Sequence, residues 1–200
     1  MSDLFSEKAK DWDVNEMVLQ LSSATSSAIL ENIELNDQMK VMDFGAGTGL
    51  ITSQVVPFVD SITAVDVSQA MLEKLSEKLG SNSKVQTICQ DITEQPLAQK
   101  FDVIMSAMAM HHVEDTNLLV QRFAEHMDSG AKIALADLDE EDGTFHPADI
   151  EGVFHDGFNR DNLKAVLEKN GFADIQFVTA HTVNKETKNY PIFLVTAVKN

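Results

Sequence analysis

Three glycines stand at alternate positions, Gly45, Gly47 and Gly49, in the stretch VMDFGAGTGL at residues 41–50. Glycine lets a chain turn tightly and lets a ligand approach the backbone closely. A helix following such a loop offers free N–H groups to an anion. The dinucleotide fingerprint G-x-G-x-x-G asks for glycine where Leu50 stands, and a P-loop asks for a lysine that this stretch lacks. Acids close three apolar runs: Asp43 just ahead of the glycines, then Asp66 and Asp91. Each could bind a ligand or simply cap a helix. Four histidines could exchange protons near neutral pH: the adjacent pair His111 and His112, then His146 and His155. The spacing of the last two is not a recognised ligand pattern, so no metal is expected.

Short apolar runs bring these residues into place. Lys40–Phe44, Ser61–Val65, Lys84–Cys89, Phe101–Met105 and Ala131–Ala136 each read as a strand closed by a polar residue or glycine. Helical periodicity fills most of the gaps. Ser68–Leu79 ends at Gly80, Asp115–Met127 keeps Leu118, Leu119, Phe123 and Met127 in register, and Asn159–Asn170 stops at Gly171. Ahead of the first strand, Val14, Met17, Val18, Leu21, Ala28, Ile29 and Ile33 mark one buried helical face. Strands alternating with helices imply parallel pairing, and continuous apolar strands imply a sheet covered on both faces. Ala173–Val183 and Tyr190–Val198 break the rhythm, because the short polar link between them cannot hold a crossover, so they run antiparallel.

The chain has 200 residues, 44% of them hydrophobic and 24% charged, enough for one sizeable core. With 15 basic and 32 acidic residues its formal charge is −17. Such a surface repels polyphosphate and anionic lipid, so neither nucleic acid nor membrane is an expected partner. The single cysteine, Cys89, cannot form an internal disulfide, and no apolar leader or spanning segment is visible. The expected location is the cytoplasm, as a monomer or homodimer.

The segment Asp43-Phe44-Gly45-Ala46-Gly47-Thr48-Gly49 resembles the first motif of class I S-adenosylmethionine-dependent methyltransferases, D/E-x-G-x-G-x-G. Asp66 resembles the acid that holds the ribose hydroxyls in that family. Asp91 with Ile92 resembles the acid and apolar pair at the adenine. Ser106 to Val113 (SAMAMHHV) resembles the segment flanking the methionine moiety. The resemblance covers roughly residues 36–200 and leans toward the ubiquinone/menaquinone-methyltransferase-like group. It implies S-adenosylmethionine as cofactor and a Rossmann-like seven-stranded, mostly parallel sheet with helices on both faces and a reversed last strand. The implied cofactor residues are Asp43, Gly45, Ala46, Gly47, Gly49, Asp66, Val67, Met71, Asp91, Ile92 and Ser106. A bound ribose diol suits Asp66 as an acceptor of two hydrogen bonds, and Asp43 could offset the ammonium.

The acceptor side is less specific. A soft nucleophile needs no base, whereas a phenol, alcohol or ammonium does. His111, His112, His146 and His155 are therefore the candidate catalytic groups, and Trp12 a candidate wall of the acceptor pocket. Residues 138–158 are expected to cover that pocket within a single domain, with residues 1–35 an N-terminal helical segment. The cover is acidic: Asp137, Asp139, Glu140, Glu141, Asp142, Asp149, Glu151 and Asp156, with no Lys or Arg from Ile133 to Asn159. That composition suits a neutral or cationic acceptor, or merely a solvated loop. Two phenylalanines, Phe145 and Phe154, directly precede the cover's histidines and could wall the pocket or anchor a surface helix. The absence of a Pro-Pro pair and the position of Cys89 inside a strand argue against nucleobase substrates. The expected function is methyl transfer to a small molecule. The alternatives are a non-catalytic protein binding S-adenosylmethionine or S-adenosylhomocysteine, and a nucleotide-dependent oxidoreductase.

Overall fold

A computed structural model describes the chain except Met1, Ser2, Leu4, Ser81, Ala148, Asp149, Glu186 and Thr187, so the acid Asp149 lies outside the described residues. Seven strands form one sheet: β1 Lys40–Phe44, β2 Ser61–Asp66, β3 Val85–Cys89, β4 Phe101–Ala107, β5 Met127–Leu138, β6 Phe172–Lys185 and β7 Lys188–Lys199. Their spatial order is β3-β2-β1-β4-β5-β7-β6. The first five run parallel, and β7 slots antiparallel between β5 and β6. Thus only the last strand is reversed. The short β6–β7 link forces it back along β6, and its apolar run Ile192–Val195 fills a fully buried slot beside β5.

Helix α1 Glu16–Asn32 precedes the sheet, and α2 Leu50–Val55, α3 Gln69–Leu79, α4 Thr116–Glu125 and α5 Arg160–Lys169 lie between strands. Four begin on the polar residue that the sequence supplies. Asn15, Ser68, Asp115 and Asn159 each accept a backbone N–H of the first turn through the side chain. Successive strand residues point to opposite faces, so each parallel strand feeds two cores. Val41, Ile62, Val103 and Met105 pack with Leu21, Ile29 and Ile33 of α1 and with Ile51 and Val55 of α2. Met42, Phe44, Ile104 and Ile133 pack on the other face with Leu119 and Phe123 of α4 and with Leu163 and Leu167 of α5. Val14 departs from the expected helical face. It sits in a short turn ahead of the Asn15 cap and is 76% exposed.

The segment between β5 and α5 is an irregular loop, and its described residues contain no helix. Its two ends close into a neck. Phe158 N donates to Leu138 O (2.8 Å), Glu140 N to Phe158 O (3.1 Å) and Glu141 N to Asp156 O (2.9 Å). Arg160 clamps Asp139 through two bonds of 2.6 and 2.7 Å. Of the two phenylalanines, Phe145 is buried with its ring edge-on to Tyr190, whereas Phe154 is 53% exposed. Neither anchors a surface helix.

Gly157 makes the neck possible. Its φ is +77°, and a Cβ there would lie 2.2 Å from the carbonyl oxygen of Asp139. Backbone cannot yield as a flexible side chain can. Gly157→Ala is expected to cost at least ~2 kcal/mol from left-handed strain and overpacking. For a chain of this size that is about 4–8 °C in melting temperature. Calorimetry checks it, and an unchanged transition would mean that the neck does not close this way.

Candidate active site

The carboxyl ends of β1 to β5 share one edge of the sheet, as parallel strands must, and ligands in such sheets bind beyond that edge. The glycine loop leaves β1 there. Gly45, Gly47 and Gly49 all adopt positive φ (+67°, +53° and +79°), which explains the alternating glycines. A Cβ at Gly45 would meet Ala109 at 2.2 Å, and one at Gly49 would meet Leu75 at 2.6 Å. At Gly47 nothing lies within 4 Å. The outer two glycines therefore serve close packing, and the middle one leaves a bare backbone facing open space.

Asp66, at the end of β2, accepts from Gly47 N through Oδ2 and from Ser68 N through Oδ1, both at 2.8 Å. Burial raises its pKa, with these two amides working against the rise. Asp91, just past β3, accepts both the amide and the hydroxyl of Thr93 through Oδ1. Val67 is exposed, whereas Ala46, Met71 and Ile92 are buried beneath the site. Ser106, at the carboxyl end of β4, has a buried hydroxyl with no partner among the described residues. A bare glycine cradle, two acids at adjacent strand ends and an orphaned hydroxyl fit a ligand with a diol, an amino-bearing ring and further polar groups.

Asp43 is placed differently from its neighbours. It is 1% exposed beneath the loop and accepts from Thr52 Oγ1. It therefore fastens α2 to β1 from below. Burial drives its pKa up to about 7, opposed by the Thr52 hydrogen bond.

Two segments cover the site. In the N-terminal segment, Asp13 accepts from Thr48 of the glycine loop and pairs with Lys78 of α3 at 2.7 Å. Asp3 accepts from Ser68 Oγ at 2.8 Å, and the Phe5 ring meets His112 edge-on at 5.1 Å. Trp12, half-buried, lies next to the Asp13 anchor. The β5–α5 loop forms the second cover. His112 Nδ1 donates to Gly152 O (2.6 Å), Phe154 N donates to His111 O (2.9 Å), and His155 Nε2 lies 2.9 Å from Val113 O.

Three of the four candidate histidines meet. The rings of His111 and His112 lie 4.1 Å apart between centroids, and those of His111 and His146 lie 5.0 Å apart. His155 stands apart, stitched to the loop after β4. Asp137 gave no signal of its own in the sequence beyond the acidic run, yet its carboxylate lies 2.7 Å from His111 Nδ1. Only the fold brings them together, because 26 residues separate them. Among the described residues, no three His, Cys, Asp or Glu side chains are arranged to hold a metal.

The Asp43 shift has a measurable consequence. Its folded pKa lies above the unfolded value, so the folded state holds the proton longer. Its stabilising contribution is complete below about pH 4 and is lost as pH rises through about 7. Asp43→Asn is expected to remove this slope, at most about 1.4 kcal/mol per pH unit. Chemical denaturation of both proteins from pH 5 to 8 checks it: the variant gains on the parent as pH rises. Parallel pH profiles would contradict the assignment.

Residues 41–130 match the family described as "Methyltransferase domain". An uncharacterized methyltransferase of Schizosaccharomyces pombe is 28% identical over 155 residues, covering 70% of this chain and 55% of that protein. The chain thus spans about half the length of that relative. An uncharacterized methyltransferase of Geobacillus is 27% identical over 187 residues, covering 86% of this chain and 83% of that one. Among solved structures, phosphoethanolamine N-methyltransferase 2 of Haemonchus contortus, in complex with phosphomonomethylethanolamine and S-adenosylhomocysteine, superposes with a TM-score of 0.71. That superposition, at 18% identity, covers 87% of this chain and 52% of that one and speaks to fold. No described helix is long and apolar enough to cross a membrane. Residues 41–130, a little under half of the chain, are thus similar to a methyltransferase domain.

Proposed function

We propose that this chain transfers a methyl group from S-adenosylmethionine to a small-molecule acceptor. The observation that carries the reading is the convergence of the bare Gly47 backbone, Asp66 and Asp91 on one edge of the sheet, beside the cluster of imidazoles after β4. When bound, the cofactor supplies a methyl carbon activated by positive sulfur. The residues of the chain have the remaining tasks: to align, to exclude water and to manage the acceptor's proton. Gly45, Ala46, Gly47 and Gly49 shape the cradle, Asp66 takes the diol, and Asp91 with Ile92 takes the adenine. Val67, Met71 and Ser106 complete the lining, with Asp43 supporting the loop from below. His111, His112 and His146 face the acceptor, His155 holds the cover down, and Trp12 contributes an aromatic wall.

The net charge of −17 favours a neutral or cationic acceptor over an anionic one. On the resemblance over residues 36–200 we place the chain with the ubiquinone/menaquinone-methyltransferase-like group. We read it as a cytoplasmic enzyme, monomeric or homodimeric, whose partners are small molecules.

Two measurements test this reading. S-adenosylhomocysteine is expected to raise the melting temperature by mass action. Asp66→Ala is expected to weaken its binding at least tenfold, since a hydrogen bond to a charged group is worth roughly 1.5–3 kcal/mol. Titration calorimetry giving equal affinities would remove Asp66 from the site. Gly47→Val places a branched residue at φ +53° where the ligand approaches. Binding should be abolished while the circular dichroism spectrum is retained. Normal binding by that variant would reduce the loop to a simple turn.

A further inference from the structure

Asp137 is fully buried near the end of β5, and every partner of its carboxylate is a donor. Oδ2 accepts from Met110 N (3.0 Å) and His111 N (3.3 Å), and Oδ1 accepts from Leu138 N (2.8 Å) and His111 Nδ1 (2.7 Å). A carboxylate among backbone amides leaves one role for the imidazole. His111 Nδ1 carries the hydrogen, so Nε2 presents its lone pair. That Nε2 is buried and has no hydrogen-bond partner among the described residues, although His111 is only 1% exposed. A buried polar atom left unpaired costs stability, and such atoms cluster where a ligand completes the set. Met108, which turns the chain from β4 toward His111, adopts φ +55°, a conformation rare outside glycine.

The neighbours of His111 are tuned differently. His112 and His146 are both driven down to about pKa 4, first by burial and then by the imidazoles beside them. Both therefore stay neutral at physiological pH. His146, whose ring lies 5.0 Å from that of His111, likewise has a buried Nε2 with no partner among the described residues. The ionisable groups around His111 are thus Asp137 from β5, His112 beside it and His146 above. Lys8 and Lys185 act on the latter two at longer range.

We propose that His111 Nε2 takes the proton of the methyl acceptor, with Asp137 as its positioning residue, and that the acceptor atom is therefore a hydroxyl oxygen or an ammonium nitrogen. This deepens the methyltransferase reading and rests on it. When bound, S-adenosylmethionine supplies a methyl carbon whose bond to sulfur breaks, the electron pair returning to sulfur. A hydroxyl oxygen makes the new bond to that carbon with its own lone pair as its proton passes to His111 Nε2, whereas an ammonium first gives a proton to Nε2 and the freed pair then makes the bond. The resulting imidazolium stays paired with Asp137 in a dry site until the acceptor leaves. A thioether or an ionised thiol has no such proton to give and would need none of this arrangement.

The test begins without any acceptor. Long-range proton–nitrogen NMR of 15N-labelled protein at pH 7.5 should show His111 protonated at Nδ1 and bare at Nε2. The signal is assigned by its loss in His111→Gln. Asp137→Asn should shift that pattern toward the Nε2-protonated form, which a merely structural carboxylate would not do. S-adenosylhomocysteine should bind His111→Gln within threefold of the parent, so that variant keeps the test alive even if Asp137→Asn folds poorly. Labelled methyl transfer is then followed across phenols, primary amines and thiols from pH 6 to 9. Label should enter phenols or amines and fall at least ~100-fold in His111→Gln. An Nε2-protonated His111 in the parent, label confined to thiols, label in none of the three classes, or no loss in His111→Gln overturns the proposal while cofactor binding stands. Failure of the parent to bind S-adenosylhomocysteine overturns the methyltransferase reading itself.

Discussion

The amide of Gly47 donates to Asp66 Oδ2, and the cofactor half of the molecule depends on this bond. A loop with three positive-φ glycines has little reason to hold one shape by itself. Here its first turn hangs on the neighbouring strand instead. Gly45 N and Ala46 N both donate to Val65 O, at 2.8 and 3.1 Å, and Gly47 N continues to the next side chain along. Through its other oxygen Asp66 accepts from Ser68 N, and Ser68 in turn caps α3 by accepting from Met71 N. One carboxylate thus ties the end of β1, the end of β2 and the start of α3. Burial raises its pKa, so the same bonds that position it also keep its anionic form accessible.

Much of this half was legible in the sequence because it is local. The motif from Asp43 to Gly49 is contiguous, and the acids Asp66 and Asp91 each close a recognisable apolar run. Three helix starts could be read from Ser68, Asp115 and Asn159, since a cap is a two- or three-residue interaction, whereas the first helix, expected from Val14, begins behind the Asn15 cap. The antiparallel β6–β7 pair followed from a link too short for a crossover. Where β7 would insert did not follow, because strand order is set by which apolar face finds which neighbour. β5 also runs longer than its apolar stretch: Met127–Gly130 joins it although three of those residues are exposed.

The acceptor half was legible only as a list of histidines. Asp137 and His111 are 26 residues apart, Asp13 and Thr48 are 35 apart, and Asp3 and Ser68 are 65 apart. None of these contacts leaves a periodic trace. Asp137 was hidden twice, first as the polar end of a strand and then as one acid among eight in an acidic stretch. The other acids of that stretch divide once the fold is known. Asp139 clamps Arg160, and Asp142 pairs with Lys188, whose hydrogen bond holds the Asp142 carboxyl down at about 2. A charge run read as one feature is therefore several, and among its described acids only Asp137 pairs with an imidazole.

The two halves are held by different kinds of bond, and that difference has a consequence. The cradle is fixed by backbone amides and strand register, which few substitutions can alter without disturbing the sheet. The acceptor side is held by side chains of two irregular segments: the Phe5 edge on His112, the Gly152 and Val113 carbonyls on His112 and His155, and the Phe145 ring against Tyr190. Apart from buried Phe145 and the Gly157 neck, such segments tolerate change more readily than the sheet does. The Asp137–His111 pair sits on the boundary. Its carboxylate belongs to a core strand and gathers the Met110 and His111 amides, so it stays in place whatever covers it. A fixed proton acceptor under replaceable covers is a division that would let one scaffold keep its chemistry while changing the molecule it methylates.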